Sequence, residues 1–230
     1  MTDRRRPSKR VYDTGVAHPA VFSDSILPVL ASLLEPSHML ILDPFAGVGR
    51  VHELRDILPF NVTTVGVELE KEWADLHPET QQGNALALDF VDGTFDAIVT
   101  SPTYGNRLAD NHNAKDGSVR RSYTHDLGRQ LTEDNSGGMQ WGPAYRDFHR
   151  AAWLEVKRVL KPNGRLVLNI SDHIRQKKRQ YVSSWHAETL IGMGFALADS
   201  SRVVTPRLRS GAHSTSRVSS ELVLALDRVD

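Results

Sequence analysis

Apolar and polar positions along the chain follow two periods. Short runs rich in aliphatic and β-branched residues occupy 39–42, 62–67, 94–100, 164–172, 195–204 and 221–226, and each reads as a strand. Between them the spacing lengthens to that of a helix. Ile26, Leu27, Val29, Leu30, Leu33 and Leu34 share a helical face, with Ser23 or Ser25 the expected N-cap and Pro36 the stop. Residues 51–58, 71–76 and 181–193 read as further helices, and over 143–160 Tyr145, Phe148, Ala152, Val156 and Leu160 fall on one side. Lys161-Pro162-Asn163-Gly164 is a turn signal. Residues 105–142 are polar and glycine-containing with no sustained period, so they read as a loop insertion, and 206–217 is a second polar loop. Strands alternating with helices predict an α/β domain.

A chain of 230 residues suits one such domain. It is expected to span 18–230, preceded by a flexible arm over 1–17 that carries Arg4, Arg5, Arg6, Lys9 and Arg10. Cysteine is absent, which excludes disulfides, thiolate metal ligands and a cysteine nucleophile. No metal is expected. Lys plus Arg and Asp plus Glu both number 28, so net charge gives no argument for a nucleic-acid partner and the placement of charge must supply it. No apolar run approaches the roughly 20 residues that cross a bilayer, and none follows the basic start. A cytoplasmic protein without a membrane partner is the expectation, and its oligomeric state is open.

The chemistry concentrates where strands end. Asp43-Pro44-Phe45-Ala46-Gly47-Val48-Gly49 joins the first strand to a helix, the arrangement that brings backbone close to a nucleotide-like ligand. Gly47 and Gly49 permit the tight turn because neither carries a Cβ. Glu68 ends the second strand about 25 residues after Asp43, where doubly wound folds keep an acid for ribose hydroxyls; Glu70 competes for that role. Ser101-Pro102-Thr103-Tyr104 follows the strand that ends at Thr100. Three basic segments also follow strands: one with Arg107, Arg120 and Arg121, one with Arg175, Lys177, Lys178 and Arg179, and one with Arg207 and Arg209. Ligands of open α/β sheets sit at the carboxyl ends of the strands, so these segments are expected to make that face positive. The acids interspersed in 105–142 also allow a mixed-charge lid there.

The Asp-Pro-Phe-Ala-Gly-x-Gly loop followed by Ser-Pro-Thr-Tyr resembles the paired motifs of the S-adenosylmethionine (SAM)-dependent DNA amino-methyltransferases. His18-Pro19-Ala20-Val21-Phe22 resembles the cofactor segment some members carry ahead of that loop, and Gly83-Asn84-Ala85 their third cofactor segment. The resemblance implies a Rossmann-like, seven-stranded methyltransferase sheet whose last strand is antiparallel. It implies SAM as cofactor, with Asp43, Phe45, Gly47 and Gly49 around its methionine end, Glu68 at the ribose, Asn84 at the adenine, and His18, Pro19, Ala46 and Ala85 as further cofactor-binding residues. DNA is the implied partner. Ser101 and the Pro102 carbonyl would hold the hydrogens of an exocyclic base amine while Tyr104 stacks on the extruded base. Ser in the first motif position is commoner among cytosine-N4 enzymes than adenine-N6 ones. The family's second proline is Thr103 here, which removes the fixed φ of that position. RNA guanine-N2 methyltransferases share a similar motif pair, and an inactive nucleic-acid-binding relative is a further reading.

Overall fold

The computed structural model describes residues 18, 23–106, 122–205 and 218–230. The first half runs α1 (Leu27–Ser32), β1 (Leu40–Asp43), α2 (Leu54–Ile57), β2 (Thr63–Glu68), α3 (Lys71–Ala74), β3 (Thr80–Gln82) and β4 (Phe95–Thr100). The second half runs α4 (Tyr123–Leu127), α5 (Pro143–Val159), β5 (Leu160–Ile170), the hairpin β6 (His173–Arg175) and β7 (Lys178–Gln180), α6 (Val182–Gly192), β8 (Phe195–Val204) and β9 (Ser220–Arg228). Seven strands form one sheet in the order β3-β2-β1-β4-β5-β9-β8. β1 to β5 pair in parallel, and β9 runs antiparallel to both β5 and β8. This is the Rossmann-like sheet expected from the sequence.

The apolar runs of the central strands are continuous because both faces of the sheet are covered there, whereas the edge strand β8 is mostly exposed. Leu42, Ile98, Leu166 and Leu168 pack on one face with Trp153 and Val156 of α5 and Leu190 of α6. Their strand neighbours Ile41, Ala97, Val99 and Val167 turn to the other face, where Leu30, Val51 and Leu54 meet them. The strand order reverses at β1, which lies between β2 and β4. A crevice therefore opens at the carboxyl ends of β1 and β4, flanked by the glycine loop on one side and Ser101 on the other.

Several local expectations change. Neither Ser23 nor Ser25 caps α1; Ile26 holds the N-cap without a side-chain bond, and the two hydroxyls face each other at 2.9 Å. Thr80-Gln81-Gln82 forms an edge strand that apolar pattern cannot reveal, since both glutamines are exposed. The stretch expected as loop holds the one-turn helix α4, started by Ser122 Oγ accepting the His125 N–H and stopped by Gly128 at φ 72°. Lys161 to Gly164 form an irregular stretch at the start of β5, with Asn163 at φ 60°. The tight turn of the β6–β7 hairpin places Gln176 and Lys177 at φ 49° and 61°. Among the described residues no helix is long and apolar enough to cross a membrane.

Candidate active site

The crevice is a cavity of about 400 Å³ walled by the glycine loop, the end of β2, Asn84 and Ala85, and Ser101 to Tyr104. Gly47 and Gly49 adopt φ 54° and 80°, the left-handed region that disfavours a Cβ. A Cβ on Gly47 would come within 3.3 Å of His18 Nε2. His18 therefore lies against the loop, its ring edge-on to Trp73 at 4.3 Å and to Tyr123 at 5.3 Å. Pro19 lies outside the described residues. Phe45 and Ala46 line the cavity, and the Ala46 N–H is held by the Val67 carbonyl.

Two buried carboxylates sit beneath the loop. Asp43 Oδ1 accepts from Thr100 Oγ1 at 2.6 Å and from the Phe45 N–H at 2.9 Å, so the ends of β1 and β4 are tied together. Burial pushes its pKa up to about 7 against the pull of those two bonds. Glu68 is the expected ribose acid, but its oxygens are already engaged: Oε2 accepts the Gly47 N–H and Oε1 the Glu70 N–H, both at 2.9 Å. It braces the glycine loop and keeps only its remaining lone pairs for a ligand. Burial raises this pKa to about 7 as well, with the charges of Glu70 and Asp43 adding to the rise.

Glu70, the competing ribose candidate, points elsewhere. It is fully buried and accepts from the Thr132 N–H and Oγ1 at 2.9 Å and from Asn135 Nδ2 at 2.8 Å, with Arg129 at 2.7 Å. Those bonds strap the 129–136 segment over the cavity, where Asp134, Asn135 and Ser136 become part of its wall. Asn84 closes a local turn through Oδ1 and the Leu86 N–H, and its Nδ2 donates to Asp134 at 3.2 Å. Ala85 packs with Phe148 and Phe45.

The motif after β4 is pinned at every residue with a polar group. Ser101 Oγ lies 3.0 Å from the Tyr104 hydroxyl, which donates to Glu221 Oε2 at 2.9 Å. Thr103 Oγ1 donates to Ser136 Oγ at 2.8 Å, and the Thr103 carbonyl accepts from the Tyr145 hydroxyl at 2.6 Å. Trp153 Nε1 donates to His186 Nδ1 at 3.0 Å. His186 Nε2 must then carry the proton and donate to the Tyr145 oxygen 2.9 Å away. Burial holds the His186 pKa well below its usual value, so the imidazole is neutral. Asn169, Glu221 and Tyr145 escape motif reading, although Asn169 was visible as the one polar side chain inside the apolar run from Leu166 to Ile170.

Of the expected nucleic-acid contacts, Arg107, Arg120, Arg121, Arg207 and Arg209 lie outside the described residues. Arg175, Lys177 and Lys178 are exposed on the β6–β7 hairpin, which follows the carboxyl end of β5. Arg179 is exposed as well but is tied to the fold. Its Nε donates to the buried Asp172 at 2.8 Å, the same carboxylate that accepts the Ser183 N–H and Oγ. It secures the hairpin to the start of α6.

No family model and no curated relative matches the chain. Solved structures do. A SAM-dependent methyltransferase from Methanosarcina mazei is 14% identical over 88% of this chain and 97% of its own, with a TM-score of 0.56. NSun6 from Pyrococcus horikoshii is 16% identical over 89% of this chain and 52% of its own, also at 0.56. The cyclase SpnF, at 14% identity, covers 88% of this chain and 79% of its own at a TM-score of 0.54. The chain thus has the fold of SAM-dependent methyltransferases. A cyclase shares that fold, so function has to be argued from the site.

Proposed function

We propose that this protein is a SAM-dependent methyltransferase that methylates an exocyclic base amine in DNA, cytosine N4 ahead of adenine N6. One observation carries the reading: the glycine loop after β1 and Ser101-Pro102-Thr103-Tyr104 after β4 open into the same cavity. The residues fit the cofactor. Left-handed glycines leave the loop backbone open to close approach, and two buried acids line the cavity where a cationic ligand would be favoured. The volume of about 400 Å³ lies in the usual range for small-molecule sites.

SAM supplies, when bound, an electrophilic methyl group on a sulfonium. The glycine loop, Asp43 and Phe45 would hold its methionine end, and Asn84 and Ala85 its adenine. Glu68 would reach the ribose only through the lone pairs its two backbone bonds leave. Ser101 Oγ and the Pro102 carbonyl would accept the two amine hydrogens, turning the nitrogen lone pair out of conjugation and toward the donor side of the cavity. Tyr104 lines the same wall as a platform for the base. With no cysteine in the chain, transfer is direct to nitrogen.

The test is mass spectrometry of nucleosides from DNA and RNA incubated with the protein and SAM. N4-methylcytosine or N6-methyladenine in DNA is the expected product. Methylation confined to RNA, or absent from both despite SAM binding, overturns the DNA assignment.

A further inference from the structure

Ser101 can serve as the amine acceptor only if its own proton points away from the substrate. A hydroxyl rotates, so something must fix it. The bonds around Tyr104 do so. Glu221, near the start of β9, takes the Tyr104 proton at 2.9 Å. With that proton committed, the contact between Ser101 and Tyr104 at 3.0 Å is made by the serine proton donating to the phenol oxygen. The chain then runs one way, from Ser101 to Tyr104 to Glu221, and Ser101 Oγ, which lines the cavity, is left as an acceptor with one lone pair beyond the one within reach of Asn169.

Asn169 of β5 reinforces that direction. Its Nδ2 lies 2.7 Å from Glu221 Oε2, 3.1 Å from the Tyr104 oxygen and 3.2 Å from Ser101 Oγ. Its Oδ1 is buried with no partner among the described residues. Turned over, the amide oxygen could accept from Ser101 or Tyr104 only by taking a proton out of that chain, and it would lie against the Glu221 carboxylate. The carboxylate therefore dictates the amide orientation, at the cost of an amide oxygen with no partner among the described residues.

We propose that Glu221 is a positioning residue for methyl transfer, acting through Tyr104 to hold Ser101 as a hydrogen-bond acceptor toward the target amine. This rests on the amine-methyltransferase reading above. The residue comes from the far end of the chain, on the antiparallel strand next to β5, and no motif announces it.

The test compares wild type with E221Q and E221A on a methyl-accepting oligonucleotide. A glutamine carbonyl can still accept from Tyr104 and Asn169, whereas alanine cannot. E221A should lower kcat by about a hundredfold with the cofactor Kd within about twofold of wild type, and E221Q should recover most of that loss. Equal loss in E221Q and E221A at unchanged substrate KM would mean that charge, not orientation, is needed, and would overturn the proposal. Full activity in E221A would overturn it too. Fluorine NMR of protein labelled with fluorotyrosine gives a readout free of turnover, with the Tyr104 resonance assigned by its loss in Y104F. That resonance should move in E221A and stay near its wild-type position in E221Q. A resonance unmoved in both variants refutes the Tyr104–Glu221 link itself. If wild type methylates no base amine while the resonance behaves as stated, the substrate reading fails and the link stands.

Discussion

The Tyr145 hydroxyl donates to the Thr103 carbonyl at 2.6 Å. In the amino-methyltransferase reading proposed above, Thr103 takes the place of the motif's second proline, whose ring would have restricted that backbone. Here the peptide is held from outside. Tyr145 grips the carbonyl, backed by His186 and Trp153, and the threonine hydroxyl adds a bond to Ser136 of the cavity strap. Y145F should leave a half-buried carbonyl and a buried imidazole N–H unpaired, destabilising the fold by about 1–3 kcal/mol. Its kcat should fall about tenfold with cofactor affinity unchanged. T103P should restore rigidity by the other route. In a double-mutant cycle, Y145F should cost less kcat in the T103P background than in wild type, and strict additivity would show that Tyr145 does not act through Thr103.

Most of the sheet could be read from the chain because parallel strands covered on both faces need continuous apolar runs. The edge strand β3 could not, since exposed Gln81 and Gln82 carry no such signal. Within the site the backbone devices were legible: glycines at forced turns and a polar residue directly after an apolar strand. Division of labour among the acids was not. Glu68 and Glu70 stand two positions apart, yet one braces the glycine loop and the other anchors a strap more than fifty residues away. Only the packing decides which acid meets which N–H. Glu221 and Asn169 were illegible as a pair because the sheet, not the sequence, brings β9 beside β5.

The two acids under the loop predict a pH dependence. Asp43 and Glu68 are both raised to about 7 in the folded protein, above their usual carboxylate values. Between about pH 4 and 7 the folded state therefore binds more protons than the unfolded state, so stability falls as pH rises through that window and levels off above it. Cofactor binding should show the opposite sign. A cationic ligand favours ionised carboxylates, so affinity should climb between about pH 6 and 8 with proton release on binding. Calorimetry in buffers of different ionisation enthalpy measures both. D43N should flatten part of the stability slope and weaken SAM binding at pH 8. An affinity independent of pH across this range would mean that the acids do not face the bound cation.

The two loop glycines should fail in different ways. A Cβ on Gly47 meets only the His18 ring at 3.3 Å, at the cavity wall. On Gly49 it meets His52 Cδ2 and His77 Cβ at 3.0 Å, beneath the loop, where the two imidazoles stack at 3.8 Å. Both positions carry positive φ, which costs a non-glycine residue about 1–2 kcal/mol. G47A should therefore melt only slightly early but lose about tenfold in SAM affinity. G49A should lose thermal stability beyond that backbone strain. Melting curves with and without SAM separate the two effects, and equal behaviour of the variants would contradict this assignment.

The hairpin carries exposed basic residues in two settings, one tied to a buried acid and two at the turn. Arg179 is tied to buried Asp172, which also holds the first turn of α6 through Ser183. Lys177 and Lys178 are exposed at and beside the tight turn. If this edge meets DNA, each phosphate contact contributes roughly 0.9 to the slope of log affinity against log salt. K177A/K178A should then lower that slope by up to about 2 and weaken binding across DNA sequences alike, with the melting temperature unchanged. R179A should do the reverse in stability, because removing the guanidinium leaves the buried Asp172 charge without its ion-pair partner. Its melting temperature should fall even without DNA. Binding titrations at several salt concentrations, beside thermal melts of the same variants, measure both quantities. A salt slope untouched by K177A/K178A would remove the hairpin from the DNA-binding face.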